Sequence, residues 1–377
     1  NLTYKQTKAV FDGLIALRMI EITKEGYYDR QSMEGCLTRF IARDELLDRL
    51  MNLEGHPAIV LKPDIDVETI LLRDTFDGRK QLIDYKDTAK TDVYRDNLKV
   101  INSCFIRHWA DLRIKDSEIP TLEERIRNHQ KKEPIDLSSR SLVRIFSNGS
   151  FKEGGRFYRG WWQNVPSEYR KFITLDELVT TEYDFSQLNP HMLYFAYNLD
   201  MGNEDAYDRV LDGQHRDIVK AAFNAMLQAS TTLEAKPKDI NIDALEMTWK
   251  DLRQAILDSH KPIKHLFFKG EGNKLQFKDS QIAENIMLQF AKINVPTLPV
   301  HDSFIMRKGL AGNLEEAMRR SFYDEFNADI PLKQEVVIER EALFNKDGTA
   351  RTDAVTSDDR QHGQWYDRNT LWLYNKI

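Results

Sequence analysis

The stretch "TEYDFSQLNP", residues 181–190, sets an acidic residue at the end of a β-prone run and follows it at once with polar residues and a proline. "LVTTEYDF", residues 178–185, reads as a strand up to Phe185. Asn189 is a good N-cap and Pro190 suits the first helical position, which predicts a helix over 191–198. Asp184 then falls at a strand-to-helix corner. There the sheet fixes its backbone while its carboxylate reaches into a cleft, an arrangement that suits a metal ligand. An Asp that only caps or faces water gives the same local pattern, so a second carboxylate decides between the two.

That second acid lies in "TLPVHDSFIM", residues 297–306. Residues 298–300 and 304–306 read as short apolar strands, with His301, Asp302 and Ser303 in the bend between them. If these strands neighbour the first one, Asp184 and Asp302 converge and repel unless a divalent cation lies between them. Two carboxylates with open coordination positions are the minimum for a two-metal site that aligns an attacking and a leaving oxygen on a phosphate.

Phosphate also needs cations, and "QHRDIVKAAFNAMLQAS", residues 214–230, offers them between the two acids. Arg216, Lys220, Asn224 and Gln228 recur every fourth residue, forming one polar stripe along a helix, while Ile218, Val219, Ala222, Met226 and Ala229 cover the other side. A solvated helix face usually carries acids among its cations, and this stripe carries none. Arg216 and Lys220 are read as triphosphate ligands, with Asn224 and Gln228 towards sugar and base.

Composition is that of an ordinary globular protein of 377 residues, long enough for two or three domains. No apolar run approaches the roughly 20 residues that span a bilayer, and the opening "NLTYKQTKAV" lacks a signal-peptide core, so a cytoplasmic location is expected. The start at Asn1 sets the expectation that a longer chain precedes it. Cys36 and Cys104 have no CxxC or His companion and read as reduced, buried thiols. A net charge of −6 argues against coating nucleic acid by bulk electrostatics. A local groove remains open to the chain, because Arg140, Arg144, Lys152, Arg156, Arg159, Arg170 and Lys171 mix with Phe151, Phe157, Tyr158, Trp161 and Trp162. A solvated face over core aromatics would look the same.

Residues 5–17 read as a helix with Val10, Phe11, Leu14 and Leu17 inward, followed by strands over 19–28 and 36–41 and a helix over 44–51. Helix, hairpin, helix is the order of part of a winged helix, and also of many small structural modules. Residues 54–87 show no clear period. A long helix over 88–112 carries Leu98, Ile101, Phe105 and Leu112 as one apolar stripe. Residues 115–140 are charged and interrupted by Pro120 and Pro134, as in a linker or exposed helix. The expected domains are an N-terminal region 1–87, a helical thumb-like segment and linker 88–140, a chemical core 141–338 and a peripheral tail 339–377.

In this order, "YDFSQLNP", "RDIVKAAFNAMLQAS" and "VHDSF" resemble the three palm and fingers motifs of family A DNA polymerases, the DNA polymerase I type. That family runs Asp-Tyr-Ser-Gln-Ile-Glu in the first motif, Arg, Lys and Tyr-Gly at four-residue steps in the second, and His-Asp-Glu in the third. Single-subunit phage RNA polymerases carry His-Asp-Ser-Phe in the third, as this chain does at 301–304. "GGRFYRGWWQNVPSEYRKF" is similar to the family's Gly-Arg, Gln-Asn-Ile-Pro and Arg segment, and "DSQIAENIM" resembles the helix leading into the third motif. The likeness spans about residues 154–306. A segment like "GRFYRGWWQ" also resembles plasmid, phage or proteobacterial replication-associated proteins, which implies a bacterial, plasmid- or phage-encoded source.

The resemblance implies an α+β fold, a compact right hand with an antiparallel palm sheet, small helical fingers and an N-terminal winged-helix-like region. It implies that Asp184, the Phe185 carbonyl and Asp302 bind two Mg2+ ions, with Mn2+ as a substitute. Lys220 would protonate the leaving pyrophosphate, and Ser186, Gln187 and Asn189 would join Arg216, Lys220, Asn224 and Gln228 around the nucleotide. His301 would steady the primer end, while Arg156, Gln163, Asn164 and Arg170 would touch primer-template DNA, chiefly its backbone. Partners would be that DNA, nucleoside triphosphates and other replication proteins.

Three departures bear on substrate. Asn189 stands where DNA-making relatives carry the glutamate that blocks a ribose 2′-hydroxyl, Gln228 replaces a tyrosine that checks sugar and base, and Ser303 replaces the third motif's last acid. Ribonucleotide incorporation or primase activity therefore stands beside DNA synthesis. The short intervals between motifs imply small fingers and thumb, no stretch supplies the clustered acids of a proofreading exonuclease, and low processivity is expected unless the N-terminal region clamps the template. A metal-dependent nuclease explains the two acids but leaves the cation and amide helix unused, and a non-catalytic replication initiator with a degenerate palm explains neither the acids nor Lys220.

Overall fold

A computed structural model describes residues 4–28, 35–36, 38–51, 67–115, 118–126, 135, 137, 139–202 and 204–335. The tail expected over 339–377 and most of the linker between 127 and 138 lie outside these residues. The described chain is mixed α+β and falls into two units, a small one within residues 4–51 and a large one within 67–335.

In the small unit, helix α1 (Tyr4–Ala16) precedes strand β1 (Ile20–Lys24), which pairs antiparallel with β4 (Arg39–Ala42), while β2 (Tyr27–Tyr28) pairs with β3 (Gly35–Cys36). Helix α2 (Asp44–Met51) closes it, with Asp44 and Glu45 in its first turn where the helix dipole favours acids. Val10 and Leu17, expected to face inward, are 53% and 62% exposed. One helix beside a few short strands has too little apolar surface to cover both.

The large unit opens with a hairpin, β5 (Ile70–Phe76) and β6 (Arg79–Ile83), in the region that showed no sequence period. Asp77 and Gly78 both hold positive φ at its turn, as a two-residue hairpin requires. Although grouped by sequence with the N-terminal region, this hairpin joins a four-stranded sheet, because β5 runs parallel to β8 (Val143–Ser147), which pairs with β9 (Ser150–Tyr158).

Helix α3 (Ala89–Arg107) starts at a capping box between Thr88 and Thr91. It buries Leu98, Ile101 and Phe105, but ends before Leu112. Ala110–Leu112 is instead strand β7, the edge of a second sheet, since its residues pair with β10 (Ile173–Leu175). Helix α4 (Ile119–Arg125), in the stretch read as a charged linker, buries Leu122 and the adjoining Ile126. Those two lie one turn apart on a single face, and the charges take the other side.

The second sheet runs β12 (Leu298–Val300), β13 (Ser303–Arg307), β11 (Leu178–Phe185), β10, β7, with β14 (Leu332–Glu335) also paired to β11. All its pairings are antiparallel. Between β11 and β12 come helices α6 (Leu188–Ala196), α7 (Arg216–Gln228), α8 (Trp249–Ser259) and α9 (Glu271–Lys292), after the short α5 (Ser167–Arg170); α10 (Ala311–Phe326) follows β13.

Helix α9 lies against β9, and the two approach closely at Gly155, where a Cβ would come within 2.8 Å of the Phe146 ring and 2.9 Å of Ser280 Oγ. Arg144 crosses that seam. Its guanidinium is fully buried between aromatic rings, 4.3 Å from Tyr94, and bonds Gly155 O at 2.8 Å, Glu284 at 2.7 Å and Ser280 at 3.0 Å. Trp161, Trp162 and Phe157 are buried too, so these members of the cation and aromatic stretch build core. Cys104 is a buried free thiol.

Candidate active site

Strand β11 carries Asp184 one residue before its end, and its register places Asp184 opposite Ser303 of β13 on one side and Lys333 of β14 on the other. The two-residue turn between β12 and β13 holds His301, in the left-handed region at φ 58°, and Asp302. Phe185 N donates to Asp302 O at 3.3 Å, so the two acids, far apart in sequence, belong to adjacent strand ends. Burial raises the Asp184 carboxyl above the ordinary carboxylate range, and the Asp302 charge raises it further. Lys220 acts on it in the opposite sense, Glu182 adds to the rise and Lys333 opposes it. Asp184, Asp302 and Lys220 therefore share one electrostatic neighbourhood.

After Asp184 the chain turns through Gln187, at φ 54°, into α6. The helix begins at Leu188, its cap Gln187 two residues before the expected one, and Asn189 sits inside its first turn with no capping role. Its side chain is used elsewhere: Nδ2 donates to Asn224 Oδ1 of α7 at 2.9 Å. Gln187 is also occupied, accepting from Ala206 N at 2.6 Å, while Ser186 N donates to Pro331 O at 2.9 Å.

On α7 the stripe splits in its partners. Lys220 and Gln228 are exposed, and Gln228 lies over Gly272 at the start of α9, where a Cβ would come within 2.4 Å of its amide carbon. Arg216 sits 5.2 Å above the Tyr207 ring and pairs with Asp205 at 2.7 Å and Asp208 at 3.5 Å. The stripe lacks acids of its own, but a preceding segment supplies them. Asp205 is itself fixed, accepting from Tyr207 N and Asp208 N, and its carboxyl lies below the ordinary range even though burial works the other way, since Arg216 and these N–H groups favour its charged form.

Arg156 Nε donates to the fully buried Asp279 of α9 at 2.7 Å, and the Asp302 charge also acts on Arg156. Burial raises Asp279 to about 6, against the pull of Arg156. Gln163, expected at the duplex, is instead buried, donating to Phe157 O at 2.9 Å and Pro299 O at 3.2 Å and accepting from Gly160 N at 3.2 Å. Trp162 Nε1 donates to the same Pro299 oxygen at 2.9 Å, so this segment buttresses the hairpin that carries Asp302. Asn164 is half-buried and His301 exposed.

A cleft of about 570 Å³ opens beside the acids, with Arg170, Lys171, Glu182, Asp184, Asp302 and Ser303 among its walls. Glu182 was not singled out in the sequence, although strand periodicity puts it on the same face as Asp184, two residues away. Asp205 and Asp279 carried no such signal, because Arg216 and Arg156, their partners, lie on other elements.

Among the described residues no three His, Cys, Asp or Glu side chains gather as a metal cage. Mg2+ needs no such cage, keeping several waters and taking one or two carboxylates with substrate phosphates. Asp184 and Asp302, like charges brought to adjacent strand ends where the Phe185 N–H donates to Asp302 O, fit such an ion.

No family model matches the chain, and no curated protein matches it. Among solved structures, the POL domain of Pol1 from M. smegmatis, in complex with DNA primer-template and dNTP, is similar at 11% identity and a TM-score of 0.32. The likeness covers 53% of this chain and 48% of that one, about half of each. At this level it carries no argument about the chain's chemistry.

Proposed function

We propose that the chain is a template-directed nucleotidyltransferase, a DNA polymerase that extends a primer 3′-hydroxyl and releases pyrophosphate. The observation that carries this reading is the approach of Asp184 and Asp302 at adjoining strand ends beside an open cleft, with Lys220 of α7 acting on Asp184. Under it, the sheet of β11, β12 and β13 is the palm and α7 belongs to small fingers. Asp184, Asp302 and the Phe185 carbonyl would hold Mg2+, which when bound supplies a lowered pKa to the primer hydroxyl and neutralises charge on the phosphates.

The chain's own groups do the rest by alignment and charge. Lys220, exposed on α7, offers a cation to the phosphates and a proton to the leaving pyrophosphate. Arg216 binds phosphate only in competition with Asp205 and Asp208. Arg156, held by Asp279, and Arg170, in the cleft wall, face the nucleic acid, while Gln163 serves through the hairpin it supports and Asn164 meets the duplex beside it.

A second reading, ribonucleotide incorporation or priming, is favoured by the Asn189 to Asn224 hydrogen bond. Under it, these two neutral amides, able to donate and accept, would meet a 2′-hydroxyl that a longer acid would block.

The test is a labelled primer-template with Mg2+, given deoxynucleotides in one reaction and ribonucleotides in another, with a third lacking primer. Extension that disappears in Asp184→Asn and Asp302→Asn supports the reading. Shortening of the primer would instead mark a nuclease, and a mobility shift without either product a binding module.

A further inference from the structure

Glu182 lies on the same face of β11 as Asp184, and its side chain is only 12% exposed in the cleft wall. One of its oxygens, Oε1, accepts from Ser303 Oγ at 2.5 Å and from Arg170 Nη1 at 2.5 Å. Ser303 follows Asp302 directly. Arg170 ends α5, and its Nε donates to Val165 O at 3.2 Å. The guanidinium is thus gripped at Nε and Nη1, and its Nη2 end makes no hydrogen bond to a described residue.

A partly buried carboxylate so placed is not a surface ion pair of negligible worth, because it fixes the plane of the guanidinium. It also cannot serve as a free base or a metal ligand through Oε1, since two donors already occupy that atom.

We infer that Glu182 is a positioning residue: it sets Arg170 towards a phosphodiester of a strand lying in the cleft, from the same β-strand that carries Asp184. This rests on the polymerase reading. Glu182 couples two distances that the reaction needs together, backbone phosphate to Arg170 and strand end to Asp184, through one rigid strand.

The experiment measures binding of a fluorescent primer-template by the full chain in EDTA across a salt series, for the wild type, Arg170→Met, Glu182→Gln and the double variant. Losing one phosphate contact lowers the slope of log affinity against log salt by about 0.9. The affinity itself falls about tenfold, as for one charge-assisted bond. We expect Arg170→Met and Glu182→Gln each to show both changes, and the double variant to be no worse than Arg170→Met. A purely structural role for Glu182 would leave the slope at its wild-type value and overturn the inference. So would effects that multiply in the double variant, or tighter binding by Glu182→Gln, which would mean that Glu182 masks Arg170. Glu182→Asp, which keeps the charge but withdraws it by one methylene, gives the same readout if Glu182→Gln does not fold. Absence of binding by the wild type removes the polymerase reading along with this inference, whereas binding with an unaltered slope removes the inference alone.

Discussion

Asn189 donates its side-chain amide to Asn224 at 2.9 Å, joining the helix that follows Asp184 to the helix that carries Lys220. Tyr207 also hydrogen-bonds Asn224 through its side chain, and the Asp302 charge acts on Tyr207. The amide pair is therefore bracketed by the groups proposed to bind phosphate and metal.

If that pair meets the sugar, Asn189→Glu should favour deoxynucleotides. An acid there cannot donate to a 2′-hydroxyl and reaches one methylene further, so the ratio of kcat/KM for deoxynucleotides over ribonucleotides should rise by about tenfold or more. An unchanged ratio, measured by single-nucleotide extension, would place the sugar elsewhere.

Asp302→Asn should abolish extension yet stabilise the cation-free protein. The folded state holds Asp184 protonated at pH values where the unfolded chain has released the proton, so stability falls as pH rises from about 4 through the raised value. Removing the Asp302 charge relieves part of that cost. Thermal unfolding should show a gain of a few degrees near about pH 8 and little near about pH 5. Added Mg2+ should stabilise the wild type and not the variant.

His260 is fully buried, with Nε2 against Ala206 O at 2.9 Å and Nδ1 against the Tyr194 hydroxyl at 3.1 Å. Burial lowers its pKa to about 4. Between the unfolded value, about 6.5, and that folded value the unfolded chain binds a proton that the folded one does not, so stability is lost as pH falls across this window. The His260 contribution to this loss is of order 3 kcal/mol, and Asp184 opposes it over the same range. Denaturant titrations at several pH values should find it much reduced in His260→Gln, which does not titrate.

Arg144→Met should cost about 3–5 kcal/mol, because it leaves the Glu284 carboxylate without its cation beside a closed seam. Arg144→Met with Glu284→Gln should be less damaging than Arg144→Met alone. Equal losses, by urea unfolding, would assign the effect to ring packing and not to charge.

What could be read along the chain was whatever neighbours in sequence impose on one another. The apolar side of α7, the strand ending at Phe185, the acid in a bend between residues 298 and 306 and the capping box at Thr88 all follow from period and turn chemistry over a few residues. The same kind of signal was present at Asp77-Gly78, where a two-residue turn announces β5 and β6, and in the two-residue step from Glu182 to Asp184.

Partners from distant segments leave no such trace. That Leu112 is strand and not helix depends on β10 lying alongside it, and that Gln163 is buried depends on Pro299 offering its oxygen. Arg216 finds Asp205, Arg156 finds Asp279, and Arg144 becomes core because Glu284 and three rings close around it. Each is a match of charge or hydrogen-bonding capacity in space. A residue's own period says which side of its element it occupies, and the path of the backbone says what waits there.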